Sequence, residues 1–328
     1  MSLAHVLLGL ATYIPGMHER LTRGPGGTDS ARYCYSVWLR HLCQAHRAGV
    51  WNDPTTIAEL GPGNSLGMGL AALLTGAEQY FAFDVVEHAN DERNLAIFDE
   101  LVELFTARAD IPDETEFPAV KPYLEDYRFP HELLTEERLQ RTLHPTRIAK
   151  IRAALQATDK TIDTPIRYVV PWAGTSSQVS APAAHPAGAP KLGSVDMIFS
   201  QAVMEHVDDL DTAYAAMRQW LSPNGFISHQ VDFKSHGTAE QWNGHWAISN
   251  LEWRLMRGRR PSLINRQPCS AHLQLLKKHA FRPLVEARVH MESALRHSNL
   301  AKPFKALSDD DLTTSGVYLL AVPEPVGA

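Results

Sequence analysis

The segment Thr56-Ile57-Ala58-Glu59-Leu60-Gly61-Pro62-Gly63 constrains the fold most, because a short apolar run meets two glycines and then an apolar helical pattern over 65–75 with Gly76 behind it. A strand that ends in glycines before a helix lets backbone approach a ligand closely. It also turns the unpaired amides of the first helical turn toward that ligand. The next apolar run, Tyr80 to Asp84, ends in a carboxylate 21 residues after Gly63. In an open α/β sheet that is the position from which an acid accepts hydrogen bonds from both ribose hydroxyls. The two pieces together call for a nucleotide-like cofactor.

Seven apolar runs have the length of strands: Thr56 to Leu60, Tyr80 to Asp84, Ile166 to Val170, Val195 to Ser200, Phe226 to Asp232, Pro283 to His290 and Gly316 to Val322. Helical spacing appears between them near 65–75, 91–107, 208–221 and 270–279, the last with Ser270 as its cap. Strands that alternate with helices predict an α/β fold with a doubly wound, mostly parallel seven-stranded sheet. Residues 1–54 form an N-terminal helical region in which Cys34, Trp38, His41, Leu42 and Ala45 share one face. The remaining 55–328 form the main domain. It carries an inserted helical cap at about 88–160 and a loop from Gly174 to Gly193 that is too poor in large apolar residues to build a core.

Lys plus Arg number 31 against 37 Asp plus Glu, a net charge of −6 over 328 residues, which does not provide the clustered positive surface that nucleic acid requires. Three cysteines without CxxC spacing argue against a disulfide framework or a thiolate zinc site and favour a reducing, cytoplasmic setting. The apolar run from Ala4 to Tyr13 has no basic residues ahead of it and is too short to span a bilayer, so neither a signal peptide nor a membrane span is expected. Oligomeric state is not legible.

A nicotinamide-binding turn places its third glycine three residues after the second, for helix and strand packing, and Leu66 stands there. Glu59 has no task beside a pyrophosphate but suits a cofactor that carries an ammonium group, as S-adenosylmethionine does. Glu59-Leu60-Gly61-Pro62-Gly63-Asn64-Ser65 with Asp84 resembles the first two motifs of the class I, seven-stranded S-adenosylmethionine-dependent methyltransferases. Val195-Asp196-Met197-Ile198-Phe199-Ser200-Gln201-Ala202-Val203-Met204-Glu205-His206 resembles the fourth-strand motif of their small-molecule branch, and Leu221-Ser222-Pro223-Asn224-Gly225 resembles the turn into strand five. The resemblance implies Gly61, Gly63, Asn64 and Ser65 around the cofactor's amino-acid portion, Glu59 near its ammonium and Asp84 on its ribose. It further implies Ser200, Gln201 and Ala202 beneath the sulfonium. The acidic or amide residue that the family places after strand three is missing, and Trp172 is the candidate to stack on adenine instead. Ahead of the first strand, Arg32 and Tyr33 are candidates to reach the cofactor carboxylate.

Strand five runs into Ser228-His229-Gln230-Val231-Asp232-Phe233-Lys234-Ser235-His236. Transfer of a methyl group to a hydroxyl requires a base, and imidazole with a carboxylate is the commonest one near neutrality. His229, Asp232 and His236 are therefore the candidate catalytic residues. Two imidazoles and a carboxylate are also a facial metal set, so a divalent metal stands as an alternative. Trp242, Asn243, His245 and Arg266 would bind the acceptor, as flat apolar faces beside hydrogen-bonding groups suit a sugar. The arrangement from His229 to Arg266 resembles methyltransferases of polysaccharide building, which ranks a small or sugar-like oxygen acceptor first. The rival readings are an NAD(P)-dependent oxidoreductase or epimerase and an inactive binding protein on the same sheet.

Overall fold

The computed structural model describes residues 3–14, 28–157, 164–172, 188–260 and 263–325. The sequence-predicted loop Gly174–Gly193 lies mostly outside them. Seven strands form one sheet: β1 (Thr56–Leu60), β2 (Gln79–Phe83), β3 (Ile166–Val169), β4 (Val195–Gln201), β5 (Leu221–Asp232), β6 (Phe281–His290) and β7 (Thr314–Pro323). Their order is β3-β2-β1-β4-β5-β7-β6. Strands β1 to β5 are parallel, and β7 alone runs antiparallel to both its neighbours. The sheet is therefore mixed, with the doubly wound order. Winding reverses between β1 and β4, so the crevice beyond their carboxyl ends is the place for a ligand.

One face of the sheet packs on α2 (Ala31–Arg47), α3 (Gly67–Thr75) and α4 (Asp91–Ala107). The other packs on α7 (Leu210–Trp220) and α9 (Cys269–Lys278). Past their part-buried first residues, Thr56 and Gln79, β1 and β2 are buried on both sides and apolar apart from Glu59. In α2 the Ser30 side chain accepts from Tyr33 N, and the buried stripe Cys34, Trp38, His41, Leu42 and Ala45 faces the sheet, with Trp38 5.6 Å from Phe199. The cap of α9 is Pro268, and the Ser270 hydroxyl donates to Asp311 instead.

The segment expected as a cap, with α5 (Glu136–Thr142) and α6 (Pro145–Gln156), joins the same core as α2 to α4 through Ile111, Val120, Phe129, Leu134 and Ile151. Arg40 fastens it. Fully buried on α2, its guanidinium donates to the carbonyls of Pro112, Val120 and Pro122 and to Glu114. Helices α1 (Leu3–Ala11) and α8 (Asn250–Arg257) pack together away from this layer, with Ser249 and Glu252 forming a capping box on α8. The sheet side is completed by the short α10 (Asp309–Thr313), which leads into β7. Among the described residues no helix is long and apolar enough to cross a membrane.

Candidate active site

The turn after β1 holds Gly61 and Gly63 at φ +64° and +74°, the left-handed region that favours glycine. A Cβ on Gly61 would also stand 2.6 Å from the Val203 side chain, so the turns after β1 and β4 approach only because that atom is missing. Thr28 clasps the turn from the N-terminal side: its hydroxyl donates to the Pro62 carbonyl at 2.8 Å and accepts from Ser65 N at 2.9 Å. Asp84 stands at the tip of β2 with Oδ1 accepting from Val85 N at 2.7 Å. Burial raises its carboxyl, while the amides of Val85, Val86 and Gly63 and nearby His88 hold it down. Val85 beside it is an exposed apolar side chain that no periodicity in the sequence singles out.

Glu59 is fully buried. Its Oε2 accepts from the Tyr80 hydroxyl at 2.5 Å, Oε1 has no partner, and burial pushes its carboxyl up to about 8. The Tyr80 ring reaches it by lying across α3, where a Cβ on Gly69 would fall 2.0 Å from Cζ. A buried acid with one unsatisfied oxygen, a glycine turn and a strand-tip carboxylate together fit the amino-acid and ribose parts of S-adenosylmethionine.

Three expected cofactor contacts are placed elsewhere. Ser65 is buried and turned inward, its hydroxyl bonded to the Thr28 carbonyl at 2.5 Å. Trp172 is 3% exposed and packs among Phe83 and Trp220 in the core below the strand ends, so its ring is not a free face for adenine. Arg32 forms a two-pronged pair with Glu116 of the insertion and is not directed at the cofactor carboxylate. The Asn64 side-chain amide donates to Asp29, and the Asn64 backbone carbonyl accepts from Arg93. Tyr33 packs edge to face on Phe117 of the insertion, 5.7 Å between ring centroids, and burial raises its hydroxyl well above the usual range.

Between the two halves of the crevice lie Gln201 and Ala202, whereas Ser200, expected with them, is fully buried and turns its hydroxyl into the core, 2.8 Å from His229 Nδ1. Ala202 takes φ +54°, a strained choice for a residue with a Cβ, and its amide donates to the Gln230 carbonyl. Gln201 is oriented from both sides: His41 Nε2 is 3.2 Å from its Oε1, and its Nε2 donates to the Lys121 carbonyl at 3.0 Å. His41 Nδ1 in turn meets Ser228, and Ser228 meets the Tyr318 hydroxyl at 2.7 Å. Burial depresses His41 to about 4, so the ring is neutral and this chain of hydrogen bonds keeps one polarity.

The expected catalytic triplet divides. His229 is 0% exposed, on the side of β5 covered by α7 and α9, with Nδ1 2.8 Å from Ser200 Oγ and the Tyr214 ring nearby. Burial and the neighbouring His41 and His272 depress it to about 3. It cannot receive a proton from a bound acceptor, so the expectation that it is the base is corrected. Asp232 and His236 do reach the crevice, each about one third exposed, with Asp232 Oδ2 3.8 Å from His236 Nε2 and 3.3 Å from Lys234 Nζ.

Two residues join them that carried no role in the sequence reading. Glu205, in the turn after β4, is 3% exposed with neither carboxylate oxygen in a hydrogen bond of good geometry; burial raises it well above the usual carboxyl range, nearby Asp232 adds to this, and the backbone amides of Glu205 and Asp232 act the other way. Lys121 arrives on the insertion, buried, its ammonium held down by burial and by Lys234. The Glu-His pair was visible as a motif, whereas Lys121 had no sequence signal.

The expected acceptor wall is largely structural. Asn243 is buried and donates to Ser293 and the Leu312 carbonyl. His245 is buried against Trp246, 4.6 Å between ring centroids, and burial depresses it to about 3. Arg266 is enclosed by Trp253 and Phe304 and donates to the Ile248 carbonyl and to Asn250. Of the four, only Trp242 is not buried; it is half-buried, its indole donating to the Glu292 carbonyl. Beyond His236 a cleft of about 460 Å³ is lined by Thr238, Gln241, Gly244, Ile248 and Leu295.

Residues 171–228 match the family model described as a methyltransferase domain. No curated protein matches the sequence. Among solved structures, the chain is similar to an S-adenosylmethionine dependent methyltransferase from Mesorhizobium loti, at 14% identity and TM-score 0.40, over 86% of this chain and 97% of that one. It is similar to phosphoethanolamine N-methyltransferase 2 of Haemonchus contortus, in complex with S-adenosyl-L-methionine, at 13% identity and TM-score 0.42, over 91% of this chain and 58% of that one. A further likeness is to a SAM-dependent methyltransferase from Methanosarcina mazei, at 11% identity and TM-score 0.41, over 85% of this chain and 97% of that one.

Proposed function

We propose that this chain, which has the domain and the fold of the class I S-adenosylmethionine-dependent methyltransferases, methylates an oxygen of a small hydroxylated acceptor. The observation that carries the reading is the division of the crevice across the tip of β4. The glycine turn and Asp84 lie on one side, the Asp232–His236 pair on the other, and Gln201 and Ala202 between them.

S-adenosylmethionine supplies a methyl group on a positively charged sulfur that is already a good leaving group. Asp84 accepts hydrogen bonds from the ribose, and Glu59 with the turn amides takes the amino-acid portion. The acceptor oxygen attacks the methyl carbon as the carbon–sulfur bond breaks. That bond's electron pair stays on sulfur, and the hydroxyl proton passes to the His236–Asp232 pair. Most of the acceleration comes from holding oxygen and methyl in line, with the base contributing about 10²- to 10⁴-fold. With Asn243, His245 and Arg266 turned inward, little supports an extended sugar wall, so a small acceptor fits better than a polysaccharide.

The test is transfer of labelled methyl from the cofactor to fractionated small-molecule extract, with the product's linkage determined by mass spectrometry. Methylated nitrogen or carbon in the product, or cofactor binding without transfer to any fraction, would overturn the oxygen assignment.

A further inference from the structure

Glu205, His206 and His236 each turn a ligand-type atom into the same small volume, all within 4.8 Å of one another. The imidazoles of His206 and His236 stand edge to face, 5.1 Å between centroids. Glu205 comes from the turn after β4 and His236 from the loop after β5, so the set is assembled by the sheet and not by one helix. The turn after β4 is itself pinned: Asn265 N donates to the Glu205 carbonyl, and the Asn265 amide donates to the carbonyls of Met204 and Val207.

The unusual member is Glu205. Its carboxyl is nearly fully buried, and although the backbone amides of Glu205 and Asp232 lie near it, neither oxygen is in hydrogen-bonding geometry with a partner. A buried polar group without a partner is costly, and structures keep one where something else completes it. Neither neighbouring imidazole hydrogen-bonds to it in this arrangement, and both are good co-ligands for a cation. Two nitrogens and one carboxylate oxygen on one side of a site, with the other positions open, is a donor set that favours first-row transition cations over magnesium or calcium.

We infer that Glu205, His206 and His236 form a site for one divalent first-row transition cation at the acceptor side of the crevice. The inference deepens the proposed function and rests on it only for what the cation would do. Bonds of about 2.0–2.2 Å to nitrogen and oxygen require the three side chains to close slightly from their present spread. Asp232, 3.8 Å from His236 Nε2, stands where a carboxylate orients a ligating imidazole. A cation there would bind the acceptor oxygen and lower the pKa of its proton, which Asp232 would then receive because His236 would be occupied as a ligand.

The test uses the full chain, stripped with a chelator and dialysed, then titrated with Co²⁺ by calorimetry and visible absorption. One Co²⁺ per chain with the absorption of a nitrogen-ligated ion is expected. Saturable binding should be lost in Glu205→Gln and His236→Gln, and Asp232→Asn should weaken it about 10–100-fold. If Glu205→Gln does not fold, as shown by its melting curve, His206→Gln and His236→Gln decide the matter from less buried positions. No saturable uptake by the wild type, or equal uptake by the folded variants, overturns the site. Titration of the stripped protein with S-adenosylhomocysteine keeps the two readings apart: nucleoside binding without cation binding removes this inference alone, and absence of nucleoside binding removes the methyltransferase reading whatever the cation does.

Discussion

Thr28 and Pro62 are 34 residues apart in the chain and joined by a 2.8 Å hydrogen bond from the threonine hydroxyl to the proline carbonyl. The same hydroxyl accepts from Ser65 N, so one side chain spans the glycine turn from end to end. Thr28→Val keeps the shape and removes both bonds, which leaves a buried carbonyl and amide unpaired at about 1–3 kcal/mol. A lower melting temperature and weaker S-adenosylhomocysteine binding by calorimetry are expected together. Unchanged binding would show that the turn holds its geometry without the clasp.

Asp84→Asn leaves the side chain in place but exchanges a charged acceptor for a neutral one. Hydrogen bonds to charged groups contribute about 1.5–3 kcal/mol, so nucleoside affinity should fall by about one to two orders of magnitude with the melting temperature of the free protein nearly unchanged. Equal affinity in calorimetry would remove Asp84 from the ribose.

His229 and His236 are expected to separate in kinetics. His236→Gln should lower kcat by about 10²- to 10⁴-fold while S-adenosylhomocysteine binds as before. His229→Leu removes the partner of Ser200 in the core and should cost about 1–3 kcal/mol of stability with kcat per folded molecule retained. A kcat loss in His229→Leu as large as in His236→Gln would return the base to strand five.

Acid should destabilise the fold through its buried histidines. His41 and His272 are depressed to about 4, and His229 and His245 to about 3, all by burial. A histidine whose folded pKa lies below its unfolded value of about 6.5 binds a proton more readily when unfolded. Its stabilisation is therefore complete above pH 6.5 and lost as the pH falls below it, at up to about 1.4 kcal/mol per pH unit for each group. Glu59, raised to about 8, and Glu205, also raised, act in the opposite sense. They hold extra protons in the folded state, so their contribution is lost as the pH climbs from the ordinary carboxyl range toward their folded values. Four histidines against two glutamates leave a net loss of stability below pH 6.5, and above it the glutamates alone erode stability. Melting temperature measured from pH 5 to 8 should peak near pH 6.5. A flat profile would mean that these groups are hydrated.

Local spacing in the sequence carried the seven strands, the helices between them, the glycine turn and the acid at the tip of β2. Each of those depends on neighbours within about twenty residues, and the side-chain period of a strand or helix writes its buried face directly into the order of residues. Residue type alone misled where depth mattered. Ser228, His229 and Gln230 read as a polar strand end, yet β7 pairs with β5 as far as Asp232–Gly316, and α7 and α9 cover His229, so the strand becomes exposed only at Asp232.

Long-range packing decided the rest of the site. Lys121 reaches the crevice because Arg40, on a helix some eighty residues earlier, holds the carbonyls on either side of it. Glu205 meets His236 because parallel β4 and β5 end side by side. The burial of Glu59, Glu205 and His41, which shifts their protonation, is set by whatever packs across the strand ends. Those neighbours come from distant parts of the chain, which is why the order of residues named the chemistry and tertiary packing chose which side chains can perform it.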